Sequence, residues 1–385
     1  MHDIAVSQLH HEEVAPGAPG KPRKWMASCK SGVGTALPGE CRVWFTLLRG
    51  FVSEVFWPRV DRAAVRSLRF VVTDGRDYFC DELDGIDAQT SYLAGGVPAY
   101  QVVNRCRQGR FRIQKEVICN PWRDALLIRV KFIPLVGSLE DYHLYAYLEP
   151  HLCDGGEDNS AYVGEFKGVP LLCGQKSDAV CALATTASWI QRSAGFVGAS
   201  DGLSDLRENK HLTRIYDRAD HGSVALTGEF DLQRSHGEFL LALSFGSNEA
   251  EAGHHAVASF LDGFDACQRQ YIEDWKCWQA SVPTLSHRQT GTIDLFRVST
   301  MVMRLHEAHQ FPGGAIASLS VPWPFDRCCA PRHCAMSSPG IRGPQGRRPG
   351  ARGCSSNLAS SPGAWTPVRL RRWERAARAA SDRRG

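Results

Sequence analysis

Between Trp25 and Gly246 the chain is a succession of short apolar runs broken by turn residues, with no amphipathic helical period between them. Val43, Phe45 and Leu47 alternate with Trp44, Thr46 and Leu48 before Gly50 ends the run. Residues 68–73 meet Asp74-Gly75, after which Tyr78, Phe79 and Cys80 return. Asp-Gly between apolar runs favours a hairpin, because glycine takes positive φ without penalty. Further runs at 100–104, 111–119, 125–132, 142–148, 180–184, 223–232 and 238–245 follow the same grammar. Many short strands at this spacing predict an antiparallel β-sandwich rather than a parallel sheet. A stretch this long can bury a large core.

At Asn248 the period changes. Val257, Phe260, Leu261, Phe264, Tyr271, Trp275 and Trp278 fall three or four apart, which predicts one long helix over 248–283. Asn248 would cap it, with Glu249 and Glu251 in the first turn, and Pro283 would end it. A second helix is expected over 292–309, with Leu295, Val298, Val302 and Leu305 on one face. Residues 1–24, punctuated by Pro16, Pro19 and Pro22, read as a flexible arm.

From Asp326 the chain changes character. Residues 326–385 hold 13 Arg, no Lys and 3 acids, a charge of +10, whereas the first 325 residues carry −6. Residues 327–385 include only seven of Val, Ile, Leu, Met, Phe, Trp and Tyr. So few apolar side chains do not offset about 1–2 kcal/mol of backbone entropy per residue, so this tail is expected to be disordered. Its Arg, Gly, Ala and Pro bias is what out-of-frame reading of GC-rich codons yields. A basic tail for nucleic acid is the rival reading. The acidic body has no electrostatic footprint for nucleic acid. No run reaches the roughly 20 apolar residues that span a bilayer, and no signal peptide is evident. Ten irregularly spaced cysteines in the body read as small apolar fillers, which points to a reducing, cytoplasmic setting.

Several segments carry a family likeness. APGAPGKP (15–22), SGVGTAL (31–37), VWFTLLRGFVSEVFWPRVD (43–61), VVTDGRDYF (71–79) and GVPAY (96–100) resemble the opening of bacterial glucoamylase and glucodextranase-type glycoside hydrolases (family 15). So do KGVPLL (167–172), RSAGFVGASDG (192–202), ALTGEFDL (225–232), EFLLALSFG (238–246) and FPGGAIASLSVPW (311–323). The resemblance implies a β-supersandwich over 25–247, a linker helix over 248–283, the entry to an α/α barrel over 284–325, and the tail beyond 326. It implies an inverting glucan 1,4-α-glucosidase acting on α-glucan in carbohydrate metabolism, with no cofactor and no metal. Such chemistry needs two carboxyl groups about 6.5–9.5 Å apart. The family's catalytic glutamates have no counterpart here, so the chain is expected to be a truncated, inactive form, with weak glucan binding as the alternative. By the same resemblance the 311–323 loop lies near the sugar site, which makes Ser318, Ser320 and Trp323 the candidate substrate-binding residues. A first barrel helix without its partners is expected to leave 290–325 poorly ordered or sticky.

Other motifs read more simply. Gly198-Ala199-Ser200-Asp201-Gly202 spells a nucleophile elbow, but no His–acid pair is placed beside it, so a glycine-rich connection is favoured. Gly32-Val33-Gly34 lacks the third glycine of a dinucleotide loop. Residues 154–159 read as a polar turn rather than a Ca²⁺ loop. His306 and His309 read as solvated helix residues. Cys328, Cys329, His333 and Cys334 lack the second pair of a zinc finger. Trp44, Phe56, Trp57 and Trp122 could stack on sugar, but strand aromatics are more often core.

Overall fold

The computed structural model describes residues 9–37, 39–283, 294–311 and 313–319. Its first strands are β1 (His10–Val14), β2 (Gly32–Thr35), β3 (Trp44–Leu48), β4 (Phe51–Phe56), β5 (Ala63–Thr73) and β6 (Phe79–Asp81). There follow β7 (Ile86–Tyr92), β8 (Tyr100–Cys106), β9 (Phe111–Cys119), β10 (Ala125–Pro134), β11 (His143–Pro150) and β12 (Asn159–Phe166). Then come β13 (Val169–Lys176), β14 (Ala179–Thr185), β15 (Trp189–Phe196), helix α1 (Gly202–Asn209), β16 (Arg214–Gly222), β17 (Val224–Phe230) and β18 (Glu238–Gly246). Helices α2 (Glu249–Asp262), α3 (Phe264–Ser281) and α4 (Leu295–Leu305) complete the described elements.

The strands form two sheets. One has ten strands in the order β1-β16-β12-β13-β14-β18-β10-β9-β8-β7; the other runs β15-β17-β11-β5-β4-β3-β2, with β6 added to β5. Every pairing is antiparallel except β1 with β16. The sheets meet face to face through rings: Phe230 on β17 stacks on Phe239 of β18 at 4.4 Å. The mainly β sandwich expected from the alternating runs is therefore present.

Alternation is clean only where one face of a strand is less covered. In β9 the inward Phe111, Ile113 and Lys115 are buried between half-exposed Arg112, Gln114 and Glu116. In β3 and β4 every residue is buried, because the outer face of the smaller sheet is covered as well. Over β3 and β4 the cover comes from Trp25, Met26 and Leu319, packed on Trp44, Phe56, Leu48 and Phe51; farther along the sheet α1 packs Leu203 and Leu206 on Val71, Tyr145, Tyr147 and Ala225. The Asp74-Gly75 signal also resolves differently from a two-residue hairpin. Thr73 pairs with Phe79, and Asp74 Oδ1 accepts the backbone N–H groups of Arg76, Asp77 and Tyr78 at 2.9–3.0 Å.

Three expectations are corrected. Residues 9–24 are not a loose arm: β1 pairs parallel with β16, Ser223 N donates to Pro19 O at 2.7 Å, and Lys21 N to Val197 O at 2.8 Å. Backbone bonds hold this segment while all five β1 side chains stay exposed, so its composition looks like a loop. The single helix over 248–283 is two helices. Asn248 does cap α2, its side chain accepting from Glu251 N, but Gly263 at φ +79° separates α2 from α3. Finally, α4 is docked rather than partnerless: Met301 and Leu305 are fully buried in the main core, with Val298 and Val302 packed against it. The expectation for 326–385 lies outside the described residues.

Helix α3 is anchored to the end of β2 and to the β7–β8 connection. Its Tyr271 hydroxyl lies 2.7 Å from Thr35 O and 3.1 Å from Pro98 O, and Trp275 Nε1 donates to Thr35 O at 3.1 Å. Both side chains are buried, so packing and hydrogen bonding act at the same contact.

Candidate functional site

After α4 the chain folds back on the β3–β4 side of the smaller sheet. Ala308 N donates to Gly314 O at 2.8 Å and Ile316 N to His306 O at 2.9 Å, which makes 306–319 a short hairpin-like loop. His306 holds both ends: Nδ1 is 2.7 Å from Val302 O, and Nε2 accepts the Leu319 N–H at 3.3 Å. Glu307 accepts the Gly313 N–H at 3.1 Å while paired with Arg304. Leu319 is buried among Trp44, Phe56, Val60 and Ala63, with Ala308 and Ile316 beside it. The His309 ring lies 4.7 Å from Trp44, and burial, aided by Arg304, pushes its imidazole below the ordinary value. Both histidines are thus structural, not solvated as their spacing suggested. Ser318 is carried to the surface next to buried Leu319. Ser320 and Trp323 lie outside the described residues, as do Cys328, Cys329, His333 and Cys334.

A second feature was not legible in the sequence, because its residues are scattered along it. Arg42, Trp57, Pro58, Arg62, Asp178, Ala179, Ser247 and Glu251 surround a surface hollow of about 280 Å³. Its wall is fixed by Asp124, which is buried and accepts from Arg42 N at 2.6 Å, Arg42 Nε at 2.9 Å and Trp57 Nε1 at 2.9 Å. The Arg42 guanidinium also lies over the Trp57 ring at 5.6 Å. The lining mixes Arg and Ser donors with Asp and Glu acceptors and with the apolar Trp57, Pro58 and Ala179.

The remaining motifs resolve into structural roles. Ser200 follows β15 and precedes α1, the strand–turn–helix setting of an elbow, but its hydroxyl accepts from Phe196 N at 3.0 Å and closes the turn. Gly32 and Gly34 lie in β2, where a Cβ on Gly34 would come 2.5 Å from the Phe45 ring. Asp154 accepts the Ala63 N–H at 2.6 Å, and Asn159 bonds Leu152 N and Gly155 O, so 154–159 is a polar turn. No group of three or more His, Cys, Asp or Glu side chains with metal-binding geometry occurs among the described residues. Trp44, Phe56 and Trp57 are core; Trp122 is 42% exposed.

The buried acids are all engaged by neighbouring groups. Glu54 accepts from Met26 N and Thr46 and pairs with Lys30; burial pushes its carboxyl up and the Lys30 ammonium down. Glu82 holds Lys115 at 2.7 Å and the Phe70 N–H at 2.9 Å. Arg69 bridges Asp81 and Glu149 at 2.9 Å each. Burial alone would raise the Glu149 carboxyl, but Arg66, Arg69 and the Ser67 hydroxyl hold it at about 2. Asp201 caps α1, and Glu229 pairs with His143 at 2.7 Å. A carboxylate locked this way serves the fold, since freeing it would strand a buried cation.

Comparison with known proteins places these features. A family model described as glucodextranase, domain N, matches residues 15–280. A glucoamylase of Clostridium sp. (strain G0005) is 33% identical over 323 residues, which is 84% of this chain and 45% of that protein. The crystal structure of a bacterial glucoamylase complexed with acarbose superposes with a TM-score of 0.76 at 31% identity, covering 82% of this chain and 46% of that one. The chain thus spans a little under half the length of each of these relatives. No helix among the described residues is long and apolar enough to cross a membrane.

Proposed function

The chain belongs to the glucodextranase domain N family of the glucoamylase-type glycoside hydrolases, and on that premise we propose that it is the non-catalytic β-module of an α-glucan-acting hydrolase. The observation that carries this reading is the commitment of the buried acids: each is tied to an Arg, Lys or His, to a backbone N–H, or to both. Inverting hydrolysis needs one protonated and one ionised carboxyl facing each other across a sugar, about 6.5–9.5 Å apart. Glu54 has the raised carboxyl expected of an acid catalyst, yet it is fully buried against Lys30 and reaches no surface.

The module's part in such an enzyme is architectural. It supplies the Trp44 face on which the 306–319 loop rests, and Ser318 is proposed to meet substrate from that loop. The acarbose bound to the bacterial glucoamylase supports an oligosaccharide as the ligand class. The test is glucose release from maltooligosaccharides by the purified 385-residue chain. We expect none above blank; turnover proportional to protein would overturn the non-catalytic reading.

A further inference from the structure

Of the four aromatics that could stack on sugar, three are removed from the surface: Trp44, Phe56 and Trp57 are at most 6% exposed. Trp122 is the exception. It stands in the five-residue turn between β9 and β10, and that turn is unusually constrained. Asn120 N donates to Ala125 O at 2.8 Å, and Trp122 N donates to Asn120 Oδ1 at 2.9 Å. Asn120 is fully buried, and its Nδ2 reaches across to α2, 3.0 Å from Ser259 Oγ and 3.1 Å from Asp262 Oδ2. Arg123 grips the same Asp262 with two nitrogens, at 2.8 and 3.1 Å. Asp124 is buried and bound to Arg42 and Trp57. Every residue flanking the indole except Pro121 is therefore fixed by a side-chain bond to another element.

A large, flat apolar ring held at the surface on a rigid mount loses little entropy when a ligand settles on it. Arg123, the next residue in the turn, supplies charged donors, and its partner Asp262 charged acceptors. A pyranose has a complementary form, an apolar C–H face bounded by hydroxyls. We propose that exposed Trp122, on the turn fixed through Asn120, Arg123 and Asp124, is a surface platform for a glucosyl unit of an α-glucan, on a different element from the 306–319 loop. The choice of α-glucan rests on the proposed function above; the platform itself rests on the turn.

Affinity electrophoresis tests this with the full 385-residue chain in gels containing soluble starch, a β-linked hydroxyethylcellulose, or no polysaccharide. Wild type should be retarded by starch, Trp122→Ala should lose affinity by about tenfold or more, and Trp122→Phe should keep part of it. All variants should migrate alike without polysaccharide. Equal retardation of Trp122→Ala and wild type in starch would overturn the platform and leave the α-glucan reading standing. Loss on Arg42→Ala but not on Trp122→Ala would do the same and point to the hollow instead. Retardation only by the β-linked polymer would overturn the α-glucan reading, and absence of retardation in both gels would overturn the platform.

Discussion

The imidazole of His306 accepts the backbone N–H of Leu319, thirteen positions further along the chain, while its other nitrogen lies 2.7 Å from Val302 O, one turn back in α4. One side chain thus joins the end of a helix to the far strand of the loop. His306→Ala should remove both bonds and cost about 1–2 kcal/mol. Leu319 would lose its seat on Trp44, and amide exchange at Ala308, Ile316 and Leu319 should accelerate while β9 and β10 stay protected. Unchanged exchange at those three amides would mean that Leu319 packing alone secures the loop.

Glu149 sits between Arg66, Arg69 and Ser67 beneath the surface of the smaller sheet. Glu149→Gln should leave two guanidinium groups facing a neutral amide and cost about 3–5 kcal/mol in urea unfolding at neutral pH. The depressed carboxyl gives the sign of the acid response. Its contribution is complete above the ordinary value of 4.5 and is lost as pH falls toward about 2. The variant should therefore lose less stability than wild type across that interval.

His151 acts one step earlier in an acid titration. Burial pushes its imidazole down to about 4, against the pull of Glu149, and its ring lies edge-on to Trp25 at 4.8 Å. The folded state holds the ring neutral. Its contribution is full above 6.5 and disappears as pH falls toward 4, an effect of about 3 kcal/mol. His151→Gln should flatten the loss of stability between pH 6.5 and 4, read as the shift of the urea midpoint at each pH.

Gly263 joins α2 to α3 at φ +79° and ψ 131°, a conformation nearly restricted to glycine, with no atom near the position of a Cβ. Gly263→Ala should cost about 1–3 kcal/mol from backbone strain alone. Calorimetry of the variant would show it as a lower Tm; an unchanged Tm would show that the two helices can reset their angle freely.

The elements that sequence revealed are those with a covered and a less covered face. The alternating FRIQKEVIC of β9 is one such strand. The strands β12 and β16 lacked a recognisable run because their exposed positions are irregular, interrupted by register shifts near Asn159. The arm at 9–24 was misread because backbone pairing leaves no apolar mark. The break at Gly263 was hidden by an apolar stripe that continues through it. At the candidate site, the commitment of the acids depends on cross-strand partners such as Arg69 and Glu149, 80 residues apart. His306 looked like a polar helix residue because its partner, Leu319 N, is a backbone group with no side-chain signature.

Strand β18 lies between β14 and β10 in the larger sheet, joining the β7–β10 meander to the β12–β14 ribbon. It is also the last strand among the described residues. A ribosome making this protein must therefore release residue 246 before the two ribbons gain a common neighbour. Until then β14 and β10 each lack the neighbour that completes their edge.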